Sequence, residues 1–177
     1  RLRPDHEQVE DVFLVYSGIG EAKRQALQSV EVAQSDPAAG LDGFAITEHM
    51  NYRYGFKVKE IVETHFGGEL LIIPGQEVYH GPHDEVVELF LPNGLVFRFL
   101  AHPGSSLNPW IEQPDGLHGV EIDNGSYFVD KDKVRQLAQR YDLLLLSNSD
   151  AHSLSDIGQH YTEITLEELQ ARAMKEI

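Results

Sequence analysis

Strand-like runs alternate with helix-like runs along most of this chain, and that alternation leaves few folds open. Strand candidates lie at 12–16, 43–47, 70–74, 85–91, 95–101, 120–122 and 143–147. Helix candidates lie at 21–34, 58–65, 130–140 and 166–175. The runs 70–73 and 143–146 are continuously apolar, which suits strands covered on both faces, as in parallel sheets. Gly40 and the Gly67-Gly68 pair follow helix candidates as C-terminal stops, and Thr165 with Glu168 has capping-box spacing. The exception is the stretch 85–99, where two strands flank Pro92-Asn93-Gly94 and read as a hairpin. The expectation is an α/β fold, a β/α barrel or open sheet with one antiparallel insertion.

Chemistry-bearing residues sit where such a fold would use them. Glu48-His49 follows the strand ending at Thr47, and Gly75-Gln76-Glu77 follows the one ending near Pro74. Ala101-His102-Pro103 follows another, and Ser149-Asp150-Ala151-His152 ends the last. In β/α folds the C-terminal strand ends gather at one mouth, where active sites form. A lone histidine at a strand end is more often a hydrogen-bonded structural residue than a ligand. Repetition over separate strand ends favours a metal site instead, and imidazoles with carboxylates but no thiol suit Zn, Mn or Fe. The Asp150-x-His152 pair is expected on one side of an extended segment. His6, His65, His118 and His160 lack this placement and read as structural or surface residues, while His80 is ambiguous.

Composition removes several alternatives. With 177 residues the chain is long enough for one domain with a substantial core, and no tract or linker divides it. It has no cysteine, so disulfides and thiolate ligands are excluded. The formal net charge of -15 opposes binding to a nucleic-acid backbone or an anionic membrane, and bound cations could offset part of it. No apolar run approaches the roughly 20 residues that cross a bilayer. A cytoplasmic location is the expectation, although a chain beginning at Arg1 leaves a removed leader open.

Several segments in order resemble motifs of the PHP (polymerase and histidinol phosphatase) superfamily: GLDGFAITEH, LIIPGQE, HDEVVELFL, FLAHPG, GVEIDNG and LLSNSDAHSLSDIG. The resemblance runs from about residue 40 to 164. It implies one PHP-like domain over 1–177, a distorted β/α barrel of about seven strands, and up to three metals at its mouth. By motif, Glu77 would bridge two metals, one also held by His83 and His102, the other by Asp150. His49 and His152 would serve the third. The departure is N-terminal: Tyr16-Ser17-Gly18 resembles the family's first turn, but Asp11 and Phe13 stand where its two histidines belong. Fewer than three metals are therefore expected. The implied activity is metal-dependent hydrolysis of a small phosphate monoester or diester, with Glu77 essential. Arg53 and Lys57, in the loop after His49, are candidates to hold the substrate phosphate, although ordinary solvated cations are the favoured reading of each. A PHP-like module that has lost catalysis is the rival, and a nuclease a weaker one. Oligomeric state and substrate identity are not legible.

Overall fold

The protein is represented by a computed structural model that describes residues 15–16, 43–67, 70–80, 84–105 and 115–175. The helix candidate at 21–34, Asp11, Phe13 and His83 lie outside the described residues.

An eight-stranded sheet organises the chain. Its strands are β1 (Val15–Tyr16), β2 (Gly43–Ile46), β3 (Leu71–His80), β4 (Asp84–Leu91), β5 (Leu95–Leu100), β6 (Gly119–Asn124), β7 (Leu144–Asn148) and β8 (Met174–Lys175). β1 to β7 follow one another in sequence order, and β8 pairs with β5. β1, β2 and β3 are mutually parallel, as are β5, β6 and β7, while β4 runs against both neighbours. This is the α/β architecture of a distorted barrel with an antiparallel insertion.

β3 continues to His80 instead of ending near Pro74, which corrects the sequence expectation. Its ladder to β2 ends at Ile46↔Pro74, and from Gly75 onward it pairs with β4. Proline, lacking an N–H, falls where the strand changes partner, so it does not break the strand. Glu77 consequently lies within a strand, opposite Val87, and not in a turn after one.

The β4–β5 hairpin turns through Pro92–Gly94, where Asn93 and Gly94 take φ of 65° and 70°. Asn and Gly tolerate that left-handed backbone best. Helix α1 (Tyr52–Phe66) starts before the expected Val58. Gly55 hides that start, because glycine lowers helix propensity. A Cβ there would lie 2.7 Å from the Ile46 carbonyl oxygen and 3.0 Å from the Gly75 nitrogen, so Gly55 lets α1 press against β2 and β3. Gly67, with φ 61°, then stops the helix as expected. In α2 (Lys131–Tyr141) Asp130 caps the Lys133 N–H, and Val134, Leu137 and Ala138 form one buried face. Thr165 accepts from the Glu168 N–H at 3.1 Å to start α3 (Leu166–Arg172). That helix ends before 175, because Met174 and Lys175 pair with Val96 and Leu95 instead.

Among the described residues, strand alternation sets two core clusters apart. Ile73, Val87, Leu89, Phe97, Phe99 and Leu146 pack together with Ile164 and Leu169. Val86, Leu100 and Val120 pack with the buried face of α2. β7 is less covered than its apolar run suggests, since Leu145 is exposed. Among the described residues, no helix is long and apolar enough to cross a membrane.

Candidate metal centre

Pairing past the end of β2 sets the first side chain. An isolated parallel bridge joins His49 to Glu77, with the Glu77 N–H donating to the Glu48 carbonyl and the Met50 N–H donating to that of Glu77. The His49 Nδ1 consequently lies 3.4 Å from Glu77 Oε2. The other oxygen, Oε1, is 3.9 Å from His102 Nε2. One buried carboxylate thus stands between two imidazoles, each facing a different oxygen.

Glu85 joins them from β4. Its position opposite Tyr79 puts it on the same face as Glu77, and its Oε2 lies 3.1 Å from His102 Nε2. Glu77, Glu85 and His102 each offer a ligand atom, all within 4.8 Å of one another, and all three residues are buried. The Nδ1 of His102 lies 3.0 Å from Ser105 Oγ. When Nδ1 carries the proton toward that oxygen, the Nε2 lone pair faces the carboxylates.

The β7 end supplies the rest. Asp150 is buried and accepts from Asn124 Nδ2 at 3.3 Å. Its backbone is left-handed, φ 45°, so the Asp150–His152 segment is turned and not extended as expected. His152 is largely exposed, and its Nδ1 lies 2.9 Å from the Asp150 carbonyl oxygen and 3.8 Å from Oδ1. His102 also has positive φ, 25°. Positive φ at two non-glycine residues is strain that the surroundings must hold in place.

The charge balance is one-sided. The Glu77 carboxyl is pushed up to about 8 by burial first, then by the charges of Asp150, Glu85, Glu121 and Glu48. Glu121 rises to about 7 through burial, against the hydrogen bonds it accepts. Burial holds the His102 imidazole below its usual range despite the acids nearby. Burial, followed by Asp150, Glu85 and Glu77, raises the Tyr127 phenol. Clustered carboxylates gain most from a bound cation, so this donor set fits a divalent metal. Thr47 Oγ1 and Ser149 Oγ, also at strand ends, are buried with no hydrogen-bond partner.

Arg53 and Lys57 belong to α1 and not to a loop, and both are exposed. Arg53 Nε is 3.3 Å from the Tyr52 hydroxyl.

The family model described as PHP-associated matches residues 130–175, from the cap of α2 through the Asp150–His152 turn to β8. A solved structure from Bifidobacterium adolescentis, provisionally assigned as a metal-dependent phosphoesterase, superimposes with a TM-score of 0.69 at 14% identity, covering 92% of this chain and 96% of that one. An amidohydrolase from Chromobacterium violaceum, solved with bound sulfate and no metal, gives 0.61 at 13% identity, covering 92% and 97%. No curated protein matches the sequence. The family model thus covers the C-terminal part of the chain, and the two solved structures share its fold.

Within this fold, the structure brings His49, Glu77 and His102 into one chain of contacts, with Asp150 near enough to perturb Glu77 and His152 beside Asp150. Sequence reasoning missed Glu85, Glu121 and Tyr127. Strand parity would have selected Glu85, two residues before the inward Val87, had β3 been traced past Pro74. Glu121 left a weaker signal, an acid inside the apolar strand GVEIDN. Tyr127, whose ring centroid lies 4.4 Å from that of His102, left none.

Proposed function

We propose that this PHP-type chain is a metal-dependent hydrolase of small phosphate esters. The carrying observation is the Glu77 carboxylate, buried between His49 and His102 with one oxygen toward each. Glu77, Glu85 and His102 would hold one divalent cation, and His49, Asp150 and His152 are the donors available for another. Bound cations of this kind activate a water at neutral pH and neutralise charge on a phosphoryl oxygen. Around them the chain does the positioning: Ser105 sets the face that His102 presents, and Asn124 holds Asp150. The phosphoesterase assignment of one structural neighbour supports this reading, and the tetrahedral sulfate held by the other has the shape of phosphate.

Metal analysis of the purified protein, joined to turnover of a generic phosphoester with Mn, Zn or Fe, tests the proposal. Turnover that disappears on chelation and returns with metal is expected. Loaded protein that is inert on monoesters and diesters alike would overturn it. The second reading, a metal-stabilised PHP-like module without catalysis, is favoured by Asp11 and Phe13 standing where the family's first two histidines belong. Metal-dependent stabilisation without turnover would select it. The strong acidic excess makes a long nucleic acid the poorer substrate.

A further inference from the structure

Glu121 is a fully buried acid in the middle of β6 with no ionic partner role in the chemistry above, and it accepts donors from three separate segments. Its Oε2 receives the His102 backbone N–H at 2.6 Å and Asn124 Nδ2 at 2.8 Å, and its Oε1 receives Asn148 Nδ2 at 2.9 Å. Asn124 extends the connection. Its Nδ2 also lies 3.3 Å from Asp150 Oδ2, and its Oδ1 accepts the N–H groups of Ser126 at 2.7 Å and Tyr127 at 2.8 Å. Ser126 Oγ in turn donates to the Asp150 carbonyl at 3.2 Å. The Tyr127 ring, held by that turn, packs on the His102 imidazole with centroids 4.4 Å apart. The path from His102 through Glu121, Asn124 and Tyr127 therefore returns to His102.

We infer that Glu121 is a positioning residue whose carboxylate, through Asn124, locks His102 and Asp150 into the conformations that face Glu77. Both residues it restrains have positive φ, 25° and 45°, which a non-glycine residue keeps only when its surroundings over-determine it. An acceptor-only group suits this place, because every contact it makes is with an N–H donor. Packing adds a second constraint: a Cβ on Gly125 would collide with the Ser149 carbonyl, so the Asn124–Tyr127 turn presses directly on the segment leading to Asp150. Glutamine is the conservative replacement. Its Oε1 can keep the His102 and Asn124 contacts while its amide faces an Asn148 side chain turned to accept.

This inference rests on His102 and Asp150 belonging to the metal-binding set, so the experiment reads positioning separately from metal. In the full chain, as purified and after EDTA treatment, the His102 ring nitrogens are followed by NMR in wild type, Glu121→Ala and Glu121→Gln. Mn2+ affinity of each is measured by titration. Glu88→Gln serves as a control, because Glu88 likewise accepts side-chain hydrogen bonds, but on β4 from Gln76 and Arg98, on the face away from Glu77. Expected are one His102 tautomer in wild type and Glu121→Gln, an averaged ring in Glu121→Ala, and Mn2+ affinity weakened at least tenfold only in Glu121→Ala. If Glu121→Ala does not fold, Asn124→Ala, which breaks the same path one residue on, must produce the same averaging. A folded Glu121→Ala or Asn124→Ala with a wild-type His102 ring overturns the inference, as does an equal loss in Glu88→Gln. Failure of wild type to bind Mn2+ would overturn the metal reading, while the His102 signals still decide the role of Glu121.

Discussion

Glu77 and Glu88 stand on adjacent strands, one residue out of step, and they meet opposite fates. Glu77 lies opposite Val87 on the face shared with Glu85, and burial among carboxylates pushes it up to about 8. Glu88 lies between Gln76 and Arg98 on the other face. Burial alone would raise it too, but hydrogen bonds from Gln76 and Arg98 and the Arg98 charge pull it below its usual range. Gln76 Nε2 and Arg98 Nε each approach it at 2.8 Å. The outer acid is satisfied within the fold, whereas the inner one is left with imidazoles and other acids. That contrast is what separates a structural ladder from a site that calls for a cation.

The largest effect should come from Glu77→Gln. The amide keeps the size but removes the charge between His49 and His102, so a metal-loaded variant should lose at least about a hundredfold in phosphoester turnover, a rise of roughly 2.7 kcal/mol in barrier. Retention of more than about a tenth of the wild-type rate, a loss under ~1.4 kcal/mol, would show that Glu77 is dispensable and erase the difference between the two faces.

Stability should move the other way with pH. Glu77 rises from 4.5 to about 8 in the folded state, so its contribution is fully present below about pH 4.5 and lost as pH rises through about 8. Glu121 adds a loss in the same direction through about 7. Metal-stripped protein should therefore melt several degrees lower at about pH 9 than at about pH 6, taking ~2–4 °C per kcal/mol for a chain of this size. Metal should abolish that slope, since metal ions compete with protons for carboxylates and stabilise by about 2.7 kcal/mol at a hundred times the dissociation constant. Glu77→Gln should flatten the slope without metal. An equally steep melting profile in that variant would mean that other groups carry it.

Breaking the outer ladder should cost stability and spare the chemistry. Arg98→Met leaves Glu88 half-satisfied and should destabilise the fold by about 1–3 kcal/mol. Because Glu88 is depressed, its stabilisation is present above its unfolded value and lost as pH falls through the folded one, so this variant should differ from wild type mainly above about pH 5. Denaturant melts measure the first effect, and kcat with saturating metal should stay within about twofold. A tenfold fall in kcat, about 1.4 kcal/mol, would mean that the two faces are coupled.

What the sequence made legible follows from the range of each signal. His49, His102 and Asp150 were singled out because each follows a strand, a position that alternating patterns reveal, and Glu77 because the β2–β3 ladder stops at Pro74 and so resembles a strand end in the sequence. Parity in the antiparallel region was not legible, since Pro74-Gly75 mimics a turn when it is in fact a change of pairing partner, and Glu85 went unseen with it. The start of α1 was hidden by Gly55, whose purpose is contact with β2 and β3 and not helix propensity. β8 was lost because Met174 and Lys175 continue a helical pattern until pairing with β5 overrides it. Glu121 depends on contacts from His102 and Asn148, distant in sequence, which no local pattern encodes.

The smallest effect is expected at the two cations nearest the mouth in sequence, Arg53 and Lys57. Both sit on the exposed side of α1, which runs away from His49. Arg53 is already engaged: its Nε lies 3.3 Å from the Tyr52 hydroxyl, and its guanidinium carbon is 5.8 Å from the centre of that ring. Holding a substrate phosphate would require giving up those contacts, and a solvated cation gains little from an exposed partner. Arg53→Ala and Lys57→Ala should each leave KM and kcat for a small phosphoester within about twofold, under ~0.4 kcal/mol, at saturating metal. A tenfold rise in KM at constant kcat would show that the side chain binds substrate and transition state equally. That result would extend the anion site from the inner acids, where a bound cation must do the attracting, onto the first turns of α1.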